Sequence, residues 1–487
     1  MTEHTAQPAP GKELPKVQVI GMITGALFLL VTLVVPAPES MGPEAWAALG
    51  MMLLMAAWWS TEAIPIPATS LLPIVLIPAL GLGSVGEATT PYANPIIFLF
   101  LGGFTLGLAM QRWNLHRRIA LLTLRAMGDQ PKRQIAGFMI ATAFLSMWVS
   151  NTATAIMMLP IGLSVIGMMD GSNPEGLRRY ATSLLLSIAY AASVGGIATL
   201  IGTPPNALLA AYLGDNQGIS IGFAQWMLIG LPVSLMMLCL TWWWLTRKDF
   251  GIAHSGESGQ LIRDELAALG PMSKGEKLVA TVFVTTAALW IFRPLLSASL
   301  VPWLNDTSIA IAAALAMFLI PVNARERCFV LDWDSANRLP WGILLLFGGG
   351  LAMAGVISSS GLAGWIAESL GAAGTLPVIV LIVLVTLVII FLTEVTSNTA
   401  TAAAFLPLLG ALALSQDVSP LLLTVPAAIA ASCAFMMPVA TPPNAIVFSS
   451  GHMRIADMIK TGFALNVMGV IVVTLVTYLL IGSIFSI

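Results

Sequence analysis

Ser150, Asn151 and Thr152, followed by Ala-Thr-Ala and then Leu159-Pro160, return later in the chain as Ser397, Asn398 and Thr399 before Leu406-Pro407. These side chains are neutral but rich in hydrogen-bonding atoms: an amide donates through its NH2 and offers its oxygen to a cation, and a hydroxyl does either. A second pair follows downstream of the first, Gly202-Thr203-Pro204-Pro205-Asn206 and Ala440-Thr441-Pro442-Pro443-Asn444. Two consecutive prolines remove backbone donors and break a helix. A break frees carbonyl groups for a cation and leaves a helix N-terminus, with its unpaired N–H groups and positive dipole end, for an anion. The chemistry on offer is the holding of small solutes. Neutral oxygen ligands suit sodium, whereas protons need a titratable relay, for which the one obvious candidate is Glu394. An anion bound beside sodium, or a neutral solute carried with it, fits these residues almost equally.

Alone, a Ser or Thr in a membrane helix bonds back to the preceding turn, and a Pro makes a kink. The duplication argues against so plain a role, because Asn at bilayer depth is costly without a partner or a ligand. The surroundings set that depth. The 487-residue chain is 57% hydrophobic and 9% charged, with a mean hydropathy of +0.91, far from the composition of a soluble domain. It reads as an all-α polytopic membrane protein. A net charge of −2 confined to connecting segments gives no surface for nucleic acid, and Cys239, Cys328 and Cys433 form no cluster with the four histidines. Lys12 and Lys16 precede an apolar stretch at 19–35 with no small-x-small cleavage site after it, so it is expected to be a retained first span.

Roughly 20 apolar residues cross a bilayer. That ruler gives about eleven spans, near 19–35, 44–59, 69–82, 95–111, 181–213, 221–245, 278–296, 307–321, 340–357, 421–450 and 462–485. Two further stretches, 134–165 and 376–410, are long enough for helical hairpins that enter and leave on one side, each with an SNT triplet at its turn. Lys and Arg favour short cytoplasmic loops. With an inside N-terminus and two re-entrant hairpins, 20 of the 21 Lys and Arg residues fall on the cytoplasmic face, Arg293 being the exception. If each hairpin crossed as a single span, that bias would collapse. The C-terminus is then expected outside.

FLGGFTLGLAMQRWNLHRRIA at 100–120 aligns with FGGGLAMAGVISSSGLAGWIA at 347–367 at an offset of 247, which the SNT triplets and Pro160/Pro407 keep. The TPPN pair matches at an offset of 238. In this topology one hairpin enters from each side, so the repeats are inverted, and two tips and two broken helices are expected to meet at mid-membrane. The chain divides into a cytoplasmic tail (1–18), N-terminal helices (19–94), a first repeat (95–245), a cytoplasmic linker (246–277) and a second repeat (278–487).

The doubled SNT-A-T…L-P, each copy followed by TPPN, resembles the divalent anion/sodium symporter family of sodium-coupled dicarboxylate carriers. The likeness runs from about residue 95 to the C-terminus. It implies a homodimer in the cell's inner membrane, with scaffold and transport units that move like an elevator and carry succinate, malate or fumarate with co-transported Na+. It further implies that Asn151, Thr152, Asn398 and Thr399 hold the carboxylates, with Thr203 and Pro442 beside them. One sodium site would use Ser146, Ser150, Asn151 and Gly202, and the other Thr393, Thr396, Asn398 and Ala440. Position 149 is Val where its counterpart is Thr396, so the two sites need not be equivalent. Dicarboxylate exchange, or sodium-coupled transport of citrate or sulfate, remains an alternative within such a family. A membrane-embedded enzyme would need paired aspartates, a His-rich motif or a Ser-His pair at one depth, none of which is present. Broken inverted repeats suit alternating access better than a standing pore.

Overall fold

A computed structural model describes residues 15–169, 172–252, 257–299, 301–371 and 376–485. Apart from one two-stranded ribbon, Pro321–Asn323 with Cys328–Phe329, the regular elements described are helices. Eight are long and apolar enough to cross a membrane, and shorter apolar helices complete the bundle. The expected span at 69–82 is two pieces, Ile66–Thr69 and Leu72–Ala79. Ser70 turns its hydroxyl back to the Ile66 carbonyl at 2.8 Å, and Pro73 stands in the first turn of the second piece.

The two SNT segments form the expected hairpins. Pro131–Ser146 and Asn151–Gly167 flank a turn at 147–150, and Val378–Leu392 and Asn398–Ser415 flank one at 393–397. Arms of 15 to 18 residues reach about 22–27 Å at 1.5 Å per residue, less than the ~30 Å hydrocarbon core. Both TPPN helices are broken, but unequally. Pro174–Ile197 resumes as Pro204–Gln217, whereas Leu421–Ala430 resumes only at Pro442–Phe448. The non-helical stretch is six residues in the first repeat (198–203) and eleven in the second (431–441).

Polar contacts sort the loops into two groups. In one, Arg112 pairs with Asp332 at 2.6 Å, Arg118 with Glu276 at 2.7 Å and Arg178 with Asp457 at 3.4 Å. In the other, Arg293 pairs with Asp306 at 2.8 Å, and Thr307 donates to the Pro95 carbonyl at 2.9 Å. Each group holds the loops that the charge pattern assigns to one face of the membrane.

The linker at 246–277 is more ordered than its composition suggests. It contains the helix Glu257–Ala268, which docks on the amphipathic helix Leu115–Met127 through Arg117 and Glu265. Beside that contact Arg118, 8% exposed, meets Glu276 with two hydrogen bonds and the Gly270 carbonyl with a third. Leu115–Met127 has a partner in the second repeat, Leu362–Gly371, whose first residue lies 247 positions later.

Candidate functional site

Four helices begin at one central cavity of about 710 Å³. Their first residues and caps line it: Ser150 and Asn151 at the first hairpin tip, Ser397 and Asn398 at the second, Thr203 and Pro204 at the first break, and Thr441 and Pro442 at the second. Thr152, Thr399, Gly202 and Ala440 complete the polar wall. The lining also includes Pro15, Gln18, Thr61, Glu62 and Ile343, the first two at the N-terminal end of the first helix. Among the described lining residues Glu62 alone is ionisable, and none is Lys or Arg. Each helix N-terminus presents about half a positive charge through free N–H groups, so the cavity is electropositive without a cationic side chain.

The two tips are built alike. Ser146 Oγ lies 2.5 Å from Asn151 Oδ1 and 2.6 Å from the Ala192 carbonyl, and Thr393 Oγ1 lies 2.7 Å from Asn398 Oδ1 and 3.0 Å from the Ala431 carbonyl. One hydroxyl proton serves one acceptor, so each tip gathers three oxygens around a single proton. Both hydroxyl residues are fully buried behind the tips. With Oδ1 engaged there, each amide has its NH2 left for the cavity. Gly202 joins the first set: a methyl on Gly196 would come 3.0 Å from the Gly202 carbonyl and 2.9 Å from Asn151 Oδ1.

The asparagines of the TPPN motifs have a different task. Asn206 donates to the carbonyls of Gly196 at 3.1 Å and Thr199 at 2.8 Å, and Asn444 to those of Ala434 at 3.2 Å and Met437 at 3.1 Å. These carbonyls match at the 238 offset, so each Asn ties its own break together. A glycine on a neighbouring helix then lets backbone meet backbone: methyls on Gly230 and Gly462 would collide with the carbonyls of Ile197 and Phe435, again 238 apart.

A family model described as the transmembrane region of sodium:sulfate symporters matches residues 16–486. The chain belongs to this family. It is 43% identical over 485 residues to the sodium-dependent dicarboxylate transporter SdcS of Staphylococcus saprophyticus, an alignment that covers 96% of this chain and 92% of the relative. Against the transporter of the same name from Staphylococcus aureus the identity is 44% over 476 residues, covering 95% and 91%. Among solved structures, the YdaH transporter of Alcanivorax borkumensis superposes with a TM-score of 0.56 over 96% of this chain and 98% of its own, at 13% identity. That likeness is one of fold.

Two features of this symporter's site lie beyond what the motifs predict. Glu394, 3% exposed, accepts the backbone N–H groups of Phe435, Met436 and Met437 at 2.7, 2.9 and 3.0 Å and the Asn466 amide at 2.8 Å. A carboxylate with four donors clasps the long second break. The three backbone donors all lie within the break, where N–H groups committed to Glu394 cannot pair up a helix. The first repeat has Met147 at this place, whose carbonyl accepts the Thr199 hydroxyl at 2.5 Å.

Thr396 is the other. Its hydroxyl is spent within the hairpin, 2.9 Å from the Leu392 carbonyl and 2.7 Å from Thr401 Oγ1, so only its backbone faces the cavity with an unshared oxygen. At the matching positions of the first hairpin, Val149 leaves Thr154 Oγ1 buried with no partner among the described residues. Val149→Thr restores the missing hydroxyl at little change of volume and is expected to stabilise the protein by about 0.5–1.5 kcal/mol, the worth of one hydrogen bond. Thermal unfolding of the purified variant checks this. An unchanged or lower midpoint would show that the two hairpins solve the problem differently.

Proposed function

We propose that this protein is a secondary active transporter that moves C4-dicarboxylates such as succinate, malate and fumarate together with sodium. The reading rests above all on four helix N-termini and two asparagine amides gathered round one cavity that has no basic side chain among its described lining residues. Such a wall attracts carboxylates but leaves them under-neutralised. Bound sodium supplies the missing charge, and each ion then favours the other. In this reading Asn151, Thr152, Asn398 and Thr399 receive the carboxylates through N–H and O–H donors, with Thr203 and Pro442 alongside. Behind them Ser146, Ser150, Asn151 and Gly202 offer oxygens to one sodium, and Thr393, Asn398, Ala440 and the backbone of Thr396 to a second. The names of the relatives support both the substrate class and the cation.

The cavity opens beside the start of the first helix. The proposed positive-inside orientation puts that end on the cytoplasmic side of the inner membrane, which fits an inward-facing carrier. Elevator-like movement of the hairpins and broken helices against a scaffold that includes 19–94, within a homodimer, completes the cycle. The paired helices Leu115–Met127 and Leu362–Gly371 are placed to link the two units. In proteoliposomes, an inward sodium gradient is expected to drive accumulation of labelled succinate, and potassium or choline in its place to give none. Equal uptake with all three cations, dependent on internal dicarboxylate, would mean exchange instead.

A further inference from the structure

Away from the transport cavity, three membrane helices converge at the ends that lie on the basic face and enclose a cleft of about 230 Å³. The start of Pro174–Ile197 brings Arg178 and Arg179, the end of Phe223–Thr246 and the residues after it bring Arg247 and Lys248, and the start of Ile455–Phe485 brings Lys460. Against five cations the lining holds one carboxylate, Asp457. That carboxylate is already shared by Arg178 at 3.4 Å and Arg454 at 3.5 Å. Among the described residues Arg179, Lys248 and Lys460 have no carboxylate partner and the buried Arg179 Nε has no acceptor.

Five like charges held in one cleft repel one another, and a buried guanidinium N–H without an acceptor is costly. Both penalties are relieved by an anion with several oxygens. Two of the three helices start here and one ends, so the helix dipoles together leave a positive contribution at the cleft. The guanidinium of Arg247 is stacked 3.3 Å over the Trp244 ring, which fixes its donors in one plane. Thr182, Ser183 and Thr461 add hydroxyls to the wall.

We propose that this cleft binds the phosphate of an anionic phospholipid from the leaflet on the N-terminal side. A soluble phosphate has the same binding chemistry, but position favours the lipid. Trp242 and Trp243, 38% and 52% exposed, precede the cleft-lining Trp244 at the end of an apolar helix, where indole rings mark the membrane–water boundary. Basic pockets between helix ends at that depth take lipid headgroups. The three helices also support the transport site: Pro174–Ile197 leads into the first break, Gly230 packs on its carbonyl and Asn466 holds Glu394. A lipid phosphate bridging their ends braces them from below.

Purified protein in a neutral detergent is titrated with phosphatidylglycerol, phosphatidylcholine and inorganic phosphate, following bound lipid by native mass spectrometry and the unfolding temperature. Phosphatidylglycerol is expected to bind and to raise the unfolding temperature, with the other two far weaker. The Arg179→Gln/Arg247→Gln double variant is expected to bind phosphatidylglycerol at least about tenfold more weakly, from the loss of charge-assisted hydrogen bonds. Lys460→Gln, at an exposed position, tests the cleft if the double variant misfolds, and is expected to weaken binding several-fold with lipid-free stability unchanged. Equal response to inorganic phosphate would make it a soluble-anion site, and equal response to phosphatidylcholine would mean unspecific binding. Unchanged phosphatidylglycerol affinity in both variants would place the lipid elsewhere. Each of these three results overturns the proposal.

Discussion

Asn151→Ala and Asn398→Ala are each expected to reduce sodium-driven succinate uptake about a hundredfold or more, in a protein that still inserts and folds. Each amide does two things at once. Its oxygen sits with the buried hydroxyl of Ser146 or Thr393, and its NH2 is left to donate into the cavity. Losing one hydrogen bond to a charged group costs about 1.5–3 kcal/mol, or roughly ten- to a hundredfold in affinity. Removing an oxygen from the proposed sodium site adds to that. The fold should survive because neither amide fills a core position or bridges distant helices. Uptake together with a sodium activation curve measures both losses. Gly196→Ala disturbs the first tip alone: its methyl would press on Asn151 Oδ1, the Gly202 carbonyl and Asn151 Nδ2 at 2.9, 3.0 and 3.2 Å, so uptake should fall and the sodium requirement rise with the second tip intact. Near-normal uptake by both Asn variants would remove these residues from the site.

Glu394→Gln is the second large effect. The carboxylate accepts three N–H donors on one oxygen and the Met437 N–H on the other. A Gln amide can satisfy one side, but its NH2 then faces a backbone donor. The variant loses at least one hydrogen bond to a charged group and buries an unmatched N–H, at about 1–3 kcal/mol for the latter alone. The second break, which lines the cavity through Ala440, Thr441 and Pro442, should loosen. A lower unfolding temperature and near-complete loss of uptake at every pH are expected. A proton relay at Glu394 predicts otherwise: sodium-driven uptake would persist in the variant and only its pH dependence would vanish.

The parts of this site that were legible in the sequence are those where polarity interrupts an apolar run. SNT and TPPN stand out against their surroundings, and their duplication at fixed offsets gives the inverted repeat before any coordinates. What stayed hidden depends on partners that leave no trace in residue type. Glu394 stands out as a titratable group, yet it is satisfied by three backbone N–H groups, which every sequence has. The longer second break holds that contact and the first has no counterpart to it, so equal motifs do not predict unequal breaks. Thr396 was legible as differing from Val149, but the direction of its hydroxyl depends on Thr401, a turn away. The helix Leu115–Met127 falls inside the repeat that the 247 offset reveals, but its charged face resembles a loop after a span. The break at Ser70 falls just before Pro73, whose missing N–H leaves the Thr69 carbonyl without a helical partner, and hydropathy alone does not register it.

The cavity wall attracts an anion with dipoles alone, and this bears on the half of a carrier's cycle in which nothing is carried. In the proposed elevator-like cycle the vacant unit must travel back through the low-dielectric layer after release. Guanidinium or ammonium groups lining the cradle would make that journey as bare ions, at a cost of several kcal/mol each, unless some counter-ion rode along. Helix ends and amides carry no net charge, so they hold their cargo in one direction and return light. A symporter needs this asymmetry, since a cradle that could not go home empty would be confined to trading one anion for another. Introducing Lys or Arg at Thr152 or Thr399 would, by this logic, push the protein from net uptake toward obligatory exchange.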